Sequence, residues 1–177
     1  SDYQHFEFQV EIKADTGANS GVFFHTAYQE RDWPRQGFEV QVYNGRQGSG
    51  AYRELKLTGS LCGVRNVYQP LVADGEWFTL RIAVRGPRVQ VWVNQMLTVD
   101  YLESNPPLRL PGFEDRVLSR GTFALQAHDP ESRVWFRHLK VRPLPETLDA
   151  EIAPTLTPAA FARELEIRRL LSENFPL

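Results

Sequence analysis

The stretch EWFTLRIAVRGPRVQVWVNQMLTVDY, residues 76–101, alternates apolar and other side chains with a period of two. This period is typical of a β-strand with one face in a core, because successive strand residues point to opposite sides of a sheet. The pairs Gly86-Pro87 and Asn94-Gln95 interrupt the alternation and supply tight turns. The stretch therefore predicts a meander of three antiparallel strands.

The same period recurs in short segments on both sides of the meander. Further strands are predicted in HFEFQVEIK (5–13), GVFFH (21–25), GFEVQVYNG (37–45) and GTFALQAH (121–128). In VWFRHLKV, residues 134–141, the apolar positions change parity, which a β-bulge near Arg137 and His138 explains. Half-polar strands favour antiparallel sheets. The pattern predicts an all-β fold, a two-sheet antiparallel sandwich of the jelly-roll kind.

The chain changes character near its C-terminus. Thr157-Pro158 is a good N-cap and first-turn pair, and the residues that follow have apolar side chains near helical spacing. We expect a jelly-roll domain over residues 1–145, and a linker with a C-terminal amphipathic helix over residues 146–177. The helix either docks on the domain or packs against a partner segment, and the pattern leaves both readings open.

Composition excludes several classes of function. The 177 residues carry 20 Lys and Arg against 22 Asp and Glu, and the sequence has no basic stripe, so we expect no nucleic-acid or anionic-membrane partner. No window approaches the roughly 18 consecutive apolar residues that a membrane span needs. Cys62 is the single cysteine, which excludes an internal disulfide and a Cys-based zinc cage. We interpret it as a small buried hydrophobe.

A candidate binding face follows from strand parity. Where Phe38, Val40 and Val42 point into a core, the other face of that strand carries polar side chains. The outward positions of interest are Glu39, Gln41, Tyr43, Arg81, Trp92, Gln126 and His128. Amides, aromatics, Arg and His bind sugars by hydrogen bonding hydroxyls and stacking on ring faces. If one outer face is concave, these side chains line a groove for carbohydrate.

Histidines at strand ends are the clearest candidates for chemistry. His128 and Asp129 are a base with its orienting partner, a metal pair, or a turn before Pro130, and the sequence does not choose between these. We expect His25, at the end of another strand, to approach the same groove. The histidine spacing specifies no metal site. No cofactor is identified, and a divalent cation such as Ca²⁺ stays open because loop oxygen ligands leave almost no sequence trace.

Two long segments interrupt the strands. Residues 44–64 are rich in Gly and polar side chains, and residues 102–121 are rich in Pro and charge. Long ordered loops on a β scaffold often line a binding site. Residues 45–50 do not form a P-loop, since they lack Lys followed by Ser or Thr. The chain also lacks a Gly-x-Ser-x-Gly elbow and the Glu-x-Asp-x-x-Glu strand signature of laminarinase-type glycosidases.

Several short motifs follow one another along the chain in a definite order. They are NSGVFF (19–24), GFEVQV (37–42), TGSL (58–61), GEW (75–77), RIAVRGPRVQVWVN (81–94), LQAH (125–128) and VWFRHLKV (134–141). Taken together, their order and spacing resemble the 3-keto-disaccharide hydrolase domain family. The similarity runs from about residue 3 to residue 144. The resemblance implies a concanavalin-like jelly roll, commonly in exported bacterial proteins, so we expect a periplasmic or extracellular location.

For some members the resemblance also implies cleavage of glycosides oxidised at C3 of the sugar. Carried over by motif, Glu39, Gln41, His128 and Arg137 become candidate site residues. We expect Glu39 or His128 to be the base, Gln41 and Arg137 to hold substrate oxygens, and Tyr43 or Trp92 to stack on a sugar ring. Gln126 and His25 complete the predicted substrate-binding set. The alternative function is a non-catalytic carbohydrate-binding or interaction module of an exported protein.

Overall fold

A computed structural model of the protein describes residues 2–45, 56–145 and 157–174, apart from the side chains of residue 168 and residues 171–174. These ranges contain eight strands and one helix. The elements are β1 (Phe6–Ala14), β2 (Ser20–Thr26), β3 (Phe38–Val42), β4 (Phe78–Arg85), β5 (Arg88–Val93), β6 (Met96–Leu102), β7 (Thr122–Leu125), β8 (Val134–Pro143) and α1 (Pro158–Asn174). Every predicted strand is therefore present.

The strands form two antiparallel sheets. One sheet has five strands in the order β6-β5-β4-β1-β8, and the other has three in the order β3-β2-β7. The predicted meander is the run from β4 to β6, with Gly86 in the left-handed region at its first turn (φ 53) and Asn94 at its second (φ 54). The structure confirms the two-sheet antiparallel jelly roll with a C-terminal helix.

The predicted β-bulge lies in β8, opposite β1. Gln9 pairs with Lys140, and Glu11 pairs with Arg137. Two residues of β8, His138 and Leu139, therefore face one intervening residue of β1, and His138 takes a positive φ of 53°. The extra residue explains why the apolar positions of this strand change parity in the sequence.

The core lies between the inner faces of the two sheets. Alternate residues of β1, β2 and β3 are buried there, and aromatic rings join the sheets. The rings of Phe24 and Phe38 stack with centroids 5.2 Å apart, and Phe6 meets Phe24 edge-on at 5.7 Å. Burying an aromatic side chain of this size contributes about 1.5–3 kcal/mol each. This packing fixes which side chains of each strand point outward.

Part of the first long loop extends the three-stranded sheet. Residues 57–62 run beside the edge strand β3, where Gln41 N–H donates to the Ser60 carbonyl at 3.0 Å and Cys62 N–H donates to the Glu39 carbonyl at 3.0 Å. The side chain of Leu61 is fully buried in the core. The segment thus covers an edge that would otherwise expose unpaired backbone groups. Residues 46–55 of the same loop lie outside the described residues.

A buried ion pair holds the second long loop. The Glu103 carboxylate and the Arg109 guanidinium form a salt bridge, and each residue is 7% exposed. Glu103 also accepts the Leu118 N–H at 2.9 Å, while Arg109 Nε donates to the carbonyl of Arg116. A buried pair of this kind is stable only when additional hydrogen bonds satisfy both charges, as these do. The pair therefore fixes the path of residues 103–118.

The helix begins where the sequence predicts. Thr157 Oγ1 accepts the Ala160 N–H at 3.2 Å, as an N-cap residue does. Leu165, Ile167 and Leu170 are exposed, and the described core contains no helix residue. These observations do not indicate whether the helix docks on the sandwich or packs against a partner segment. The domain boundary at residue 145 stays a prediction, because residues 146–156 lie outside the described ranges. No helix in the described part of the chain is both long and apolar enough to span a membrane.

Candidate functional site

A cleft of about 210 Å³ lies on the outer face of the three-stranded sheet. Side chains of β3, of the segments that flank β2 and β7, and of both long loops line it. The lining residues are Asn19, Trp33, Glu39, Gln41, Lys56, Cys62, Phe113, Arg116, Gln126 and His128. Four of the sequence-predicted site residues thus come together: Glu39, Gln41, Gln126 and His128.

The missing side chain of Gly21 brings Glu39 and Gln126 together. Gly21 lies on β2, between β3 and β7, and a Cβ placed there would lie 2.5 Å from Glu39 Oε1. Gln126 Nε2 reaches across this gap and donates to Glu39 Oε1 at 3.2 Å. Gln126 Oε1 is buried without a hydrogen-bond partner among the residues that the structure describes. Glycine at this position therefore creates space for the carboxylate at the floor of the cleft.

Gln41 is held rigidly beside Glu39. It is 3% exposed, and its Nε2 donates to Asn19 Oδ1 at 3.1 Å. Cys62 Sγ donates to Gln41 Oε1 at 3.6 Å, so the single cysteine is buried, as predicted, and helps to orient the amide. Hydrogen bonds on both sides of an amide define its orientation.

The structure shows the turn at His128 and Asp129 and the contact between their side chains, while the role of His128 as a base stays a prediction. His128 Nδ1 lies 3.0 Å from Asp129 Oδ2, so the carboxylate orients the imidazole. Asp129 Oδ1 also accepts the N–H groups of Glu131 at 2.9 Å and Ser132 at 2.8 Å, which makes the turn. The hydrogen bonds from Ser132 hold the pKa of Asp129 below its usual value. Because Nδ1 is engaged, Nε2 is the nitrogen through which His128 can exchange a proton with a ligand.

The described residues give no support to the third reading, a metal pair. Across residues 2–45, 56–145 and 157–174, no three His, Cys, Asp or Glu side chains converge in a way that could hold a metal ion. This observation does not test whether loop oxygen atoms bind a divalent cation such as Ca²⁺.

Arg116 supplies a positive charge that the alternation of strand residues did not identify. Its guanidinium lies 5.4 Å from the ring centroid of Phe23, the buried residue of β2 next to the cleft floor. Burial lowers the pKa of Arg116, against the opposing influence of Glu39. A guanidinium nevertheless remains charged at neutral pH. The cleft therefore contains a carboxylate and a guanidinium of opposite charge.

Three predicted residues lie on the other side of the sandwich. Arg137 is on β8, Trp92 is on β5 and Arg81 is on β4, and all three belong to the five-stranded sheet. Arg137 Nε donates to Glu11 Oε2 at 2.8 Å, and the Arg81 guanidinium lies 3.8 Å from the Trp92 ring centroid. The prediction that they share a groove with Glu39 is wrong, because parity assigns a residue to one face of its strand without saying which sheet holds the strand.

Two further predicted residues are buried. Tyr43 is 2% exposed because residues 57–62 cover that end of β3, so its ring has no free face for a sugar. His25 is also 2% exposed, and its Nε2 donates to the Gln4 carbonyl at 2.9 Å while Nδ1 accepts the Ser119 N–H at 3.2 Å. Both are structural residues rather than parts of the cleft.

Sequence reasoning did not choose six of the lining residues as site residues: Asn19, Trp33, Lys56, Cys62, Phe113 and Arg116. Lys56, Phe113 and Arg116 lie in the two long loops that were expected to line a site. The sequence thus indicated the right loops without identifying these residues. Asn19 begins the NSGVFF motif. Trp33 follows no strand pattern. Its ring centroid lies 5.2 Å from that of His128, a contact that only the folded chain creates.

Fold and cleft together define a jelly-roll β-sandwich domain with a polar cleft on one outer face. The model of the 3-keto-alpha-glucoside-1,2-lyase-like domain family matches residues 1–142. The chain therefore belongs to this family. No curated protein sequence matches it.

Solved structures share the fold. Two proposed glycosyl hydrolases from Parabacteroides distasonis ATCC 8503 superpose with TM-scores of 0.64 and 0.66, at 24% and 21% sequence identity. The first match covers 81% of this chain and 80% of that chain, and the second covers 82% and 74%. A carbohydrate-binding module from Bacillus subtilis superposes with a TM-score of 0.53 at 14% identity, covering 80% of this chain and 76% of that one. At these identities the likeness shows a shared β-sandwich fold.

His25 makes stability depend on pH. Burial lowers its pKa to about 4, whereas an ordinary histidine titrates near ~6.5, so the unfolded chain binds the proton more readily between these values. The contribution of neutral His25 to the free energy of unfolding is therefore complete above about pH 6.5. It decreases by up to about 3 kcal/mol as the pH falls to about 4. Chemical denaturation across this range should show the slope. The exposed His138→Gln should keep it, and an unchanged slope in His25→Gln would contradict the assignment.

The Gly21 gap is testable by a double-mutant cycle. Gly21→Ala should lower the free energy of unfolding by about 1 kcal/mol, because Glu39 must move and give up the bond from Gln126. In a Glu39→Ala background the same change should stay within about 0.5 kcal/mol, since nothing then occupies the gap. Equal effects in both backgrounds, measured by urea denaturation, would show that Gly21 does not serve Glu39.

Proposed function

We propose that this domain cleaves 3-keto-glycosides by elimination across the glycosidic bond, in the cleft on the outer face of the three-stranded sheet. The observation that carries the proposal is the convergence of Glu39, His128 and Arg116 on one cavity. Membership of the lyase-like family gives the reaction class its support. A base, an acid and a cation are the three groups that such an elimination uses.

The reaction follows from the acidity of the oxidised sugar. A ketone at C3 acidifies the proton on C2, so a base can remove it and leave negative charge on the C3 oxygen as an enolate. The electron pair then forms the C1–C2 double bond while the C1–O bond breaks, and an acid protonates the departing oxygen. Addition of water, with hydroxide to C1 and a proton to C2, completes hydrolysis. No pair of carboxylates flanking the glycosidic bond is needed.

Glu39 and His128 divide the proton transfers in this proposal. Glu39 already accepts the hydrogen bond from Gln126, so its carboxylate is placed as an acceptor and takes the C2 proton. His128, oriented by Asp129 through Nδ1, delivers a proton to the leaving oxygen through Nε2. Each group is fixed by a neighbour before substrate arrives, which lowers the entropic cost of reaching the reactive geometry.

Four other residues of the cleft hold the sugar. Arg116 faces the developing negative charge of the enolate, where a charge-assisted hydrogen bond is strong. Gln41 and Gln126, whose side chains line the cleft, present amide groups to the sugar hydroxyls. Trp33, which is 50% exposed, offers a ring face in place of Tyr43 and Trp92.

The leaving group has space beyond the cleft. A second cavity of about 600 Å³ shares Trp33, Phe113 and Arg116 with the first, so the two spaces adjoin. Ligand pockets commonly measure about 300–1,000 Å³, which the first cavity alone does not reach. We place the oxidised sugar over Glu39 and His128, and the alcohol that departs in the larger space.

Binding without cleavage is the second candidate function. The fixed amide of Gln41 and the exposed indole of Trp33 are groups that hold a glycan equally well in a non-catalytic module. The likeness in fold to a carbohydrate-binding module is compatible with this alternative.

Substitution of the two proton-transfer residues tests the reaction. Glu39→Gln preserves shape and the acceptor for Gln126 but removes the negative charge, and His128→Ala removes the acid. Each should lower kcat for a chromogenic 3-keto-α-glucoside by about 10²–10⁴-fold. Thermal unfolding should be nearly unchanged, because both side chains lie outside the core. Full turnover in both variants would exclude the assignment, and tight binding without turnover by the unmodified domain would favour the non-catalytic alternative.

The two arginines give a matched comparison. Arg116→Ala should lower kcat/KM by about 10²-fold or more, since it removes the cation that faces the enolate. Arg137→Ala removes the same side chain from the opposite side of the sandwich and should leave kcat/KM within twofold. Steady-state kinetics on both variants decides whether the tertiary location or the sequence motif identifies the functional arginine. A larger loss in the Arg137 variant would overturn the location proposed for the site.

A further inference from the structure

The outer face of the five-stranded sheet gathers positive charge. Seven Lys and Arg side chains point outward from β1, β4, β5 and β8, against three carboxylates on the same face, although the whole chain has more Asp and Glu than Lys and Arg. The three carboxylates are already paired: Glu7 with Arg85 and Arg142, Glu11 with Arg137, and Asp100 with Arg88. The remaining cations are Lys13, Arg81 and Lys140, and none of them has a carboxylate partner among the described residues.

These three cations lie in two rows with tryptophans. The strand register places Trp92, Arg81, Gln9 and Lys140 in a row across four strands. Arg81 and Lys140 are thus two strands apart, about 10 Å at the backbone. In the second row, Lys13 Nζ lies 5.6 Å from the ring centroid of Trp77 and 4.4 Å from that of Trp135.

The tryptophan rings remain accessible beside the charges. Trp77 is 37% exposed and Trp135 is 41% exposed, although large aromatic side chains are usually well buried. Cation–π contacts hold Lys13 and Arg81 against rings, so these side chains lose less freedom when they meet an anion. The arrangement combines fixed positive charges with apolar ring surface on a flat sheet.

We propose that this face is a second ligand site, which binds an acidic polysaccharide chain lying across the strands. Its uronate carboxylates pair with Arg81, Lys140 and Lys13, while hydroxyls meet Gln9 and sugar rings contact the indoles. An anionic polymer complements the excess positive charge, and the aromatic surface favours pyranose rings. The site is on the side of the sandwich opposite the cleft, so it anchors the domain to a glycan and leaves the cleft free. It does not depend on the activity proposed for the cleft.

Binding to a defined polyuronate tests the proposal. The unmodified domain should bind polygalacturonate in low salt, and added NaCl should weaken the interaction because it screens exposed charges. The triple variant K13Q/R81Q/K140Q should bind at least tenfold more weakly by isothermal titration calorimetry. Its matched control, R65Q/R120Q/R163Q, removes the same charge from exposed positions outside the strands of this sheet and should bind within twofold of the unmodified domain.

Several outcomes would overturn the site. They are no binding by the unmodified domain, equal binding to neutral dextran, or an equal loss in the control variant. Tighter binding of this face to single-stranded DNA or to phosphatidylglycerol vesicles would identify a different polyanion and also refute it. Lys140→Gln alone, which removes no ring contact, should weaken binding about threefold and guards against misfolding of the triple variant. Turnover in the cleft should be unchanged in every face variant.

Discussion

The packing of the two inner sheet faces against each other is the constraint on which the rest of this protein depends. Alternate residues of β1, β2 and β3 are committed to a dry core, where the ring of Phe24 contacts those of Phe6 and Phe38. Every intervening residue must therefore lie on an outer face. The core thus assigns roles beyond its own stability. It turns Glu39 and Gln41 toward the cleft on one side, and Arg81 and Lys13 toward the opposite face on the other.

A flat outer face becomes a cleft through two further features. Gly21 removes a side chain from the centre of the three-stranded sheet, so Glu39 and Gln126 meet over bare backbone. The buried pair of Glu103 and Arg109 holds the loop that carries Arg116 beside them. A charged pair in the interior is costly to desolvate, and its hydrogen bonds to the loop backbone offset that cost. Floor and wall of the cleft therefore have separate physical origins, one a missing side chain and the other a satisfied buried charge.

The fold was largely predictable, and the site was predictable in part. Strand alternation identified all eight described strands, and the parity change in β8 located its bulge correctly, because both are local properties of the chain. Parity also placed Glu39, Gln41, Gln126 and His128 on outward faces that the structure brings together. It could not distinguish Arg137 from Arg116, since one lies on an ordered strand of the other sheet and the other on a loop without periodicity. The prediction that His25 approaches the groove was wrong for a related reason, because the end of a strand can be either exposed or covered by other segments.

Local chemistry along the chain was enough to determine the strands, their turns, the N-cap at Thr157 and the two faces of each strand, because these depend on neighbours a few residues apart. Only tertiary packing decided which strands share a sheet, and hence which polar residues share a surface. Charge shows the difference most clearly. No basic stripe is visible in the sequence, yet pairing of β8, β1, β4 and β5 assembles seven cations on one face. Each strand contributes only a few of them, at alternate positions, and antiparallel register adds them together across distances that no local pattern records.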